Sequence, residues 1–186
     1  KQVYKTELIF YYMLKRSLEK YLPDFVYGAT DGAVTTFAVV AGVMGASLSS
    51  VIVLILGFAN LFADGFSMAI SNYLSTKSEN DVNKSHKHKH HLKKPVKTAL
   101  VTFFSFLLIG LIPLISFILA PFSPAIEASK FTYSIILTGI AFLVIGGVKG
   151  KITEKHYFKS SLETLVIGGI AALIAFFVGY LLKILS

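Results

Sequence analysis

Residues 27–79 hold two long apolar runs joined by a short turn without charge, and each run carries one aspartate, Asp31 in the first and Asp64 in the second. Each run is about as long as the roughly 20 residues that an α-helix needs to cross a bilayer. An aspartate at the centre of such a helix costs about 2.5–3.5 kcal/mol on the insertion scale. Two of them close together point to a use for the charge.

Three further apolar runs follow. The spacing predicts helices over 24–44, 51–76, 95–119 (interrupted by Gly110 and Pro113), 131–148 and 161–185. The mean hydropathy is +0.69 and charged residues make up only 15% of the chain, against about 25% in a soluble domain. A transmembrane barrel would show alternating segments of about ten residues, and these runs do not alternate. The expected fold is an all-α integral membrane protein, with five transmembrane helices forming one transport-sized domain over 24–186. Ahead of it, Leu8, Tyr11, Tyr12, Leu14, Leu18 and Tyr21 recur at helical spacing among Lys15, Arg16, Glu19 and Lys20. Residues 1–23 therefore read as an amphipathic helix lying against lipid phosphates, or as a plain solvated lead-in. Pro23 is expected to end it and Asp24 to cap the next helix. The first residue is Lys, so the sequence is expected to begin inside a longer chain.

The net charge is +8, and 16 of the 18 Lys and Arg residues fall on one side of the predicted membrane. The positive-inside rule makes that side cytoplasmic, with the N-terminus, the 77–94 loop and the 149–160 loop, and leaves the C-terminus outside. This asymmetry accounts for the basic balance without nucleic acid. There are no cysteines, which excludes disulfides and zinc–thiolate sites. Small residues recur four apart at Gly28 and Gly32, at Ala38 and Gly42, and along 168–179. They suit close helix packing within a bundle or between two copies.

Counting about 1.5 Å per residue from the predicted helix ends puts Asp31 roughly 10 Å in and Met68 roughly 13 Å in from the same side, nearly level. Asn60, Asp64 and Met68 are four apart and share one stripe. Carboxylate and amide oxygens suit hard cations and a thioether favours softer transition metals. The column reads as a path for a divalent ion such as Fe²⁺ or Mn²⁺, with carboxylates that can take up protons when the metal leaves. The plainer reading has each aspartate bonding a broken helix near Gly32 or Gly65 and Met68 as packing. His86, His88, His90 and His91 lie in a loop reading KSHKHKHHLKK. Imidazoles suit transition metals, whereas the lysines between them suit a solvated loop. Lys149 reads as a snorkelling cation or a counter-charge, and Glu163 as a helix N-terminal charge. No nucleophile–base pair and no phosphate loop is visible, so neither an enzyme nor a bound cofactor is expected.

The segments DGAVTTFAVVAGVMGASLSS and ANLFADGFSMAISNYLSTKSE resemble the first hairpin of the vacuolar iron transporter family. GGVKGKITEKHYFKSSLETLVIGGIAALIAFFVGYLLK resembles that family's fourth and fifth helices. The resemblance implies a five-helix homodimer that exports cytosolic Fe²⁺, often with Mn²⁺, in exchange for protons, with helices 1 and 2 lining the path. Asp31 falls on the aspartate of the family's DG motif and Met68 on its pathway methionine. Asn60 stands where members carry glutamate or asparagine, Asp64 matches the ADG form, and Glu79 matches the acid ending helix 2, at the cytoplasmic entrance. The family's long glutamate-rich domain between helices 2 and 3 is missing; the short His- and Lys-rich loop 77–94 stands in its place. The rival readings are a same-fold transporter or channel for another cation without proton coupling, and a non-transporting membrane subunit. The membrane would be the plasma membrane of a prokaryote, or a vacuolar or other organelle membrane of a eukaryote.

Overall fold

The computed structural model describes residues 2–85 and 92–185. Among them the chain is helical throughout, with six α-helices: α1 Gln2–Gly45, α2 Ser50–Ser85, α3 Pro95–Gly110, α4 Ile115–Leu119, α5 Pro124–Ile152 and α6 Tyr157–Leu185. Two single 3₁₀ turns, Ile112–Leu114 and Ala120–Phe122, join α3 to α4 and α4 to α5. Five segments are long and apolar enough to cross a membrane: Ser17–Gly45, Ser50–Lys84, Pro95–Phe122, Pro124–Ile152 and Tyr157–Leu185. The five expected crossings are therefore present.

Several boundaries differ from those the pattern predicts. α1 runs through Pro23 without a break. Asp24 is consequently no cap; its side chain is buried inside the bundle. A proline within a membrane helix is tolerated where neighbouring helices support the loosened backbone. α2 continues nine residues past the predicted Thr76, to Ser85. Residues 77–85 contain neither Gly nor Pro, and Lys84 pairs with Asp81 one turn away. The end of the apolar run and the end of the helix are thus different places. α5 starts at Pro124 instead of Phe131, because a proline fits the first helical turn, where no N–H is needed. The extra turn is set off by a kink at Ser129 (φ −132°, ψ 20°).

The interruption expected at Gly110 and Pro113 is observed. The backbone freed there is satisfied from another helix, as a membrane interior demands: the Ser134 hydroxyl of α5 donates to the Pro113 carbonyl at 2.6 Å.

α1 sits at the centre and touches every other long helix. Glycine makes this possible. A methyl group at Gly28 or Gly32 would run into the carbonyls of Thr102 and Phe106 on α3. At the other end of α1, Gly179 of α6 packs directly on Gly42. The apolar core lies between α1, α2 and the α3–α4 segment and is built on Phe37, Val40, Leu61, Met68, Phe106 and Phe117. α2 covers α1 with one edge only. Phe58, Phe62, Phe66, Ile70 and Leu74 form an exposed apolar stripe on its far side, the composition expected against lipid.

Candidate functional site

Side-chain bonds fix how α1 and α2 run past each other. The Asn72 amide donates to Asp24 Oδ1 at 3.2 Å. Further along, the Asn60 amide donates to the hydroxyls of Thr35 at 3.3 Å and Thr36 at 3.4 Å. Between these two pins the antiparallel register brings Asp31 level with Asp64 and Gly65. The two aspartates thus stand at one level on neighbouring helices. Both residues are half-buried. Among the described residues neither carboxylate has a hydrogen-bond or ion-pair partner.

The same register moves Met68. It lies level with Gly28, about one turn or 5 Å nearer the Asp24 end than Asp31, so it is not level with Asp31 as depth counting suggested. Depth counting sets Asp24 and Lys77 level as helix ends, whereas Asp24 stands opposite Asn72 and both helices run on past those two residues. Met68 is 8% exposed and belongs to the apolar core. Asn60 stays on the stripe. Its amide nitrogen is committed to the two threonines, and its amide oxygen makes no hydrogen bond among the described residues. Thr35 does not serve Asp31's carboxylate: its hydroxyl donates to the Asp31 backbone carbonyl at 2.8 Å. Glu79 is exposed on the extension of α2, well beyond this level. His86, His88, His90 and His91 lie outside the described residues.

Two polar groupings escaped the sequence reading. The first continues the α2 stripe in steps of four, through Asn72, Thr76 and Asn80, all partly or fully buried. Asn72 bridges Asp24 to the Thr102 hydroxyl, 2.6 Å away on α3. Lys93 completes an ion pair with Asp24 at 2.9 Å, and its carbonyl accepts from Asn80 at 2.7 Å. The four-residue periodicity was the available signal; the Lys93 contact spans 69 positions and left none. The second grouping borders Asp31. A cavity of about 370 Å³ between α1, α5 and α6 is lined by Tyr27, Thr30 and Asp31, by Lys149, and by Glu163 and Thr164. Lys149 and Glu163 form an ion pair at 3.4 Å.

Two like charges on one level, half out of water and without partners, are costly unless a cation joins them. Carboxylate and amide oxygens are the donors that a hard or borderline divalent ion prefers. Among the described residues no three His, Asp or Glu side chains converge on one point. A bound ion here would need Asn60's oxygen, water, the Met68 sulfur or groups from a second copy to fill its shell.

Five membrane-length helices around an unpartnered carboxylate pair define a polytopic helical membrane protein with a polar site inside its apolar span. The chain belongs to the VIT family, whose model matches residues 22–93 and 84–180. It is similar to vacuolar iron transporter 1 of Eucalyptus grandis, 29% identical over 210 aligned residues that take in 82% of this chain and 83% of the relative. It is similar also to the vacuolar iron transporter of Toxoplasma gondii, 28% identical with 88% of this chain and 75% of the relative covered. A shorter match to the vacuolar iron transporter of Plasmodium falciparum reaches 40% identity over 60 residues, 32% of this chain and 22% of the relative. The Eucalyptus alignment of 210 residues is longer than this entire chain of 186, so the relative carries stretches with no counterpart here. The family match itself falls into two pieces that overlap over 84–93, from the end of α2 to the segment before α3.

Proposed function

We propose that this chain is a transporter of a divalent transition metal, Fe²⁺ or Mn²⁺, which it carries out of the cytoplasm in exchange for protons. The observation that carries the reading is the Asp31–Asp64 level. Two carboxylates without partners, inside a membrane span, suit a cargo that supplies the missing positive charge. The same groups can hold protons on the return step. Membership of a family whose relatives are named iron transporters supports the choice of cargo. The excess of Lys and Arg at the end of the bundle that holds Asp24 and Lys149 supports a cytoplasmic position for that end.

The working unit is a homodimer. The α1 face that carries Asp31 lies open between α2 and α6, and beyond it Ala38, Gly42 and Gly179 line a second apolar hollow. A second copy facing this groove would close it and add its own Asp31 and Asp64. The membrane is the plasma membrane in a prokaryotic cell, or a vacuolar or other organelle membrane in a eukaryotic one.

Purified protein in liposomes tests the reading, with Mn²⁺ or Fe²⁺ on one side and a pH dye inside. Metal uptake accompanied by proton movement is expected, and Asp31→Ala is expected to abolish it. Wild-type flux through Asp31→Ala would overturn the role of Asp31. Metal flux without proton movement would make the protein an uncoupled channel.

A further inference from the structure

The Asp31 cavity holds a charged pair that the carboxylate column does not use. Lys149 sits in the last turn of α5 and Glu163 in the second turn of α6. The backbone of the α5–α6 hairpin that carries them is closely packed. Side chains at Gly146 and Gly150 would collide with the α6 backbone at Ser160, Ser161 and Tyr157. The Ser161 hydroxyl donates to the Leu143 carbonyl at 2.8 Å, and the Thr153 hydroxyl to the Lys149 carbonyl at 2.8 Å. Asp31 and Glu163 thus line one cavity with a single ammonium between α5 and α6. The lysine stem is flexible and its head is a compact point charge, so either carboxylate is a candidate partner. It pairs with Glu163 at 3.4 Å and leaves Asp31 without a partner.

We propose that Glu163 is a positioning residue for the cargo site: it holds the Lys149 ammonium away from Asp31 and so keeps Asp31 open to a divalent cation. Lys149 is then a tethered competitor for the metal. Glu163 decides how strongly it competes, and so sets the affinity of a site it does not itself build. This rests on the transporter reading above.

Charge swaps test it through suppression. Mn²⁺ binding by titration calorimetry and Mn²⁺ uptake in liposomes are measured for wild type, Glu163→Gln, Lys149→Met and the double variant. With Glu163 neutralised, Lys149 turns to Asp31, and the Kd and KM for Mn²⁺ are expected to rise about tenfold, the scale of a lost or gained charge contact. Removing Lys149 as well is expected to return both constants towards wild type, and Lys149→Met alone to bind Mn²⁺ as tightly as wild type or more so. A merely structural ion pair gives a different pattern: both single variants lose thermal stability, and the second substitution rescues nothing in Kd. An unchanged Kd in Glu163→Gln, or a double variant no better than Glu163→Gln, overturns the proposal while leaving the transporter reading intact. A wild-type protein that neither binds nor carries Mn²⁺ overturns both.

Discussion

The Lys93 ammonium lies 2.9 Å from Asp24 Oδ2, in a pair that ties the segment entering α3 to the buried side of α1. The Asp24 side chain is 8% exposed and that of Lys93 26%. Breaking a buried pair by removing one partner leaves a charge without compensation. Asp24→Ala is expected to destabilise the protein by about 3 kcal/mol, the low end for such pairs because Lys93 still reaches water. Lys93→Met strands the less hydrated carboxylate and is expected to cost as much or more, although Asn72 still donates to Asp24. Replacing both, as Asp24→Asn with Lys93→Met, is expected to recover most of the loss. Thermal unfolding in detergent checks the series.

The close approach of α1 to α3 gives a steric contrast. A methyl group at Gly32 meets the Phe106 backbone, including its Cα at 2.9 Å, whereas one at Gly169 meets nothing within 4 Å. Gly32→Ala is expected to cost about 1–3 kcal/mol as overpacking between two backbones that cannot yield. Gly169→Ala is expected to leave the melting temperature unchanged or raise it, since alanine is the better helix former.

These two cases show what was legible in the sequence. Helix number and order follow from apolar run length, so the five crossings could be read directly. Glycines spaced four apart could be read as contact points, though not which neighbour they touch. Depth counting misplaces Met68 because Asp24 and Lys77, the two ends it starts from, are not level: Asp24 stands opposite Asn72. Pro23 was misread because local propensity ends a helix there and tertiary support overrides it. The Asp24–Lys93 pair spans 69 positions, and nothing local to either partner announces the other; Lys149 and Glu163 stand 14 apart across the α5–α6 turn, close enough for a hairpin to be read but not for the pairing of these two side chains.

The shared level of Asp31 and Asp64 has a thermodynamic consequence. If one ion satisfies both, the two residues act as a unit and their losses do not add. Asp31→Asn and Asp64→Asn are each expected to weaken Mn²⁺ binding at least tenfold, or about 1.4 kcal/mol. The double variant is expected to lose little beyond the weaker single variant. Titration calorimetry on the four proteins gives the coupling directly. Fully additive losses would mean two independent sites, one per carboxylate.

Met68 separates packing from ligation. It belongs to the core with Leu61 and Phe106, one turn from the carboxylate level. Leucine keeps the volume, so Met68→Leu is expected to cost less than about 1.5 kcal/mol in stability. It removes a soft donor, and soft donors favour Fe²⁺ over the harder Mn²⁺. If the sulfur meets the ion during transit, the ratio of Fe²⁺ to Mn²⁺ uptake in liposomes is expected to fall several-fold, while the melting temperature moves by only a few degrees. A ratio equal to wild type would confine Met68 to the core. Selectivity would then rest on Asp31, Asp64 and the Asn60 oxygen alone, an all-oxygen set with little power to prefer Fe²⁺.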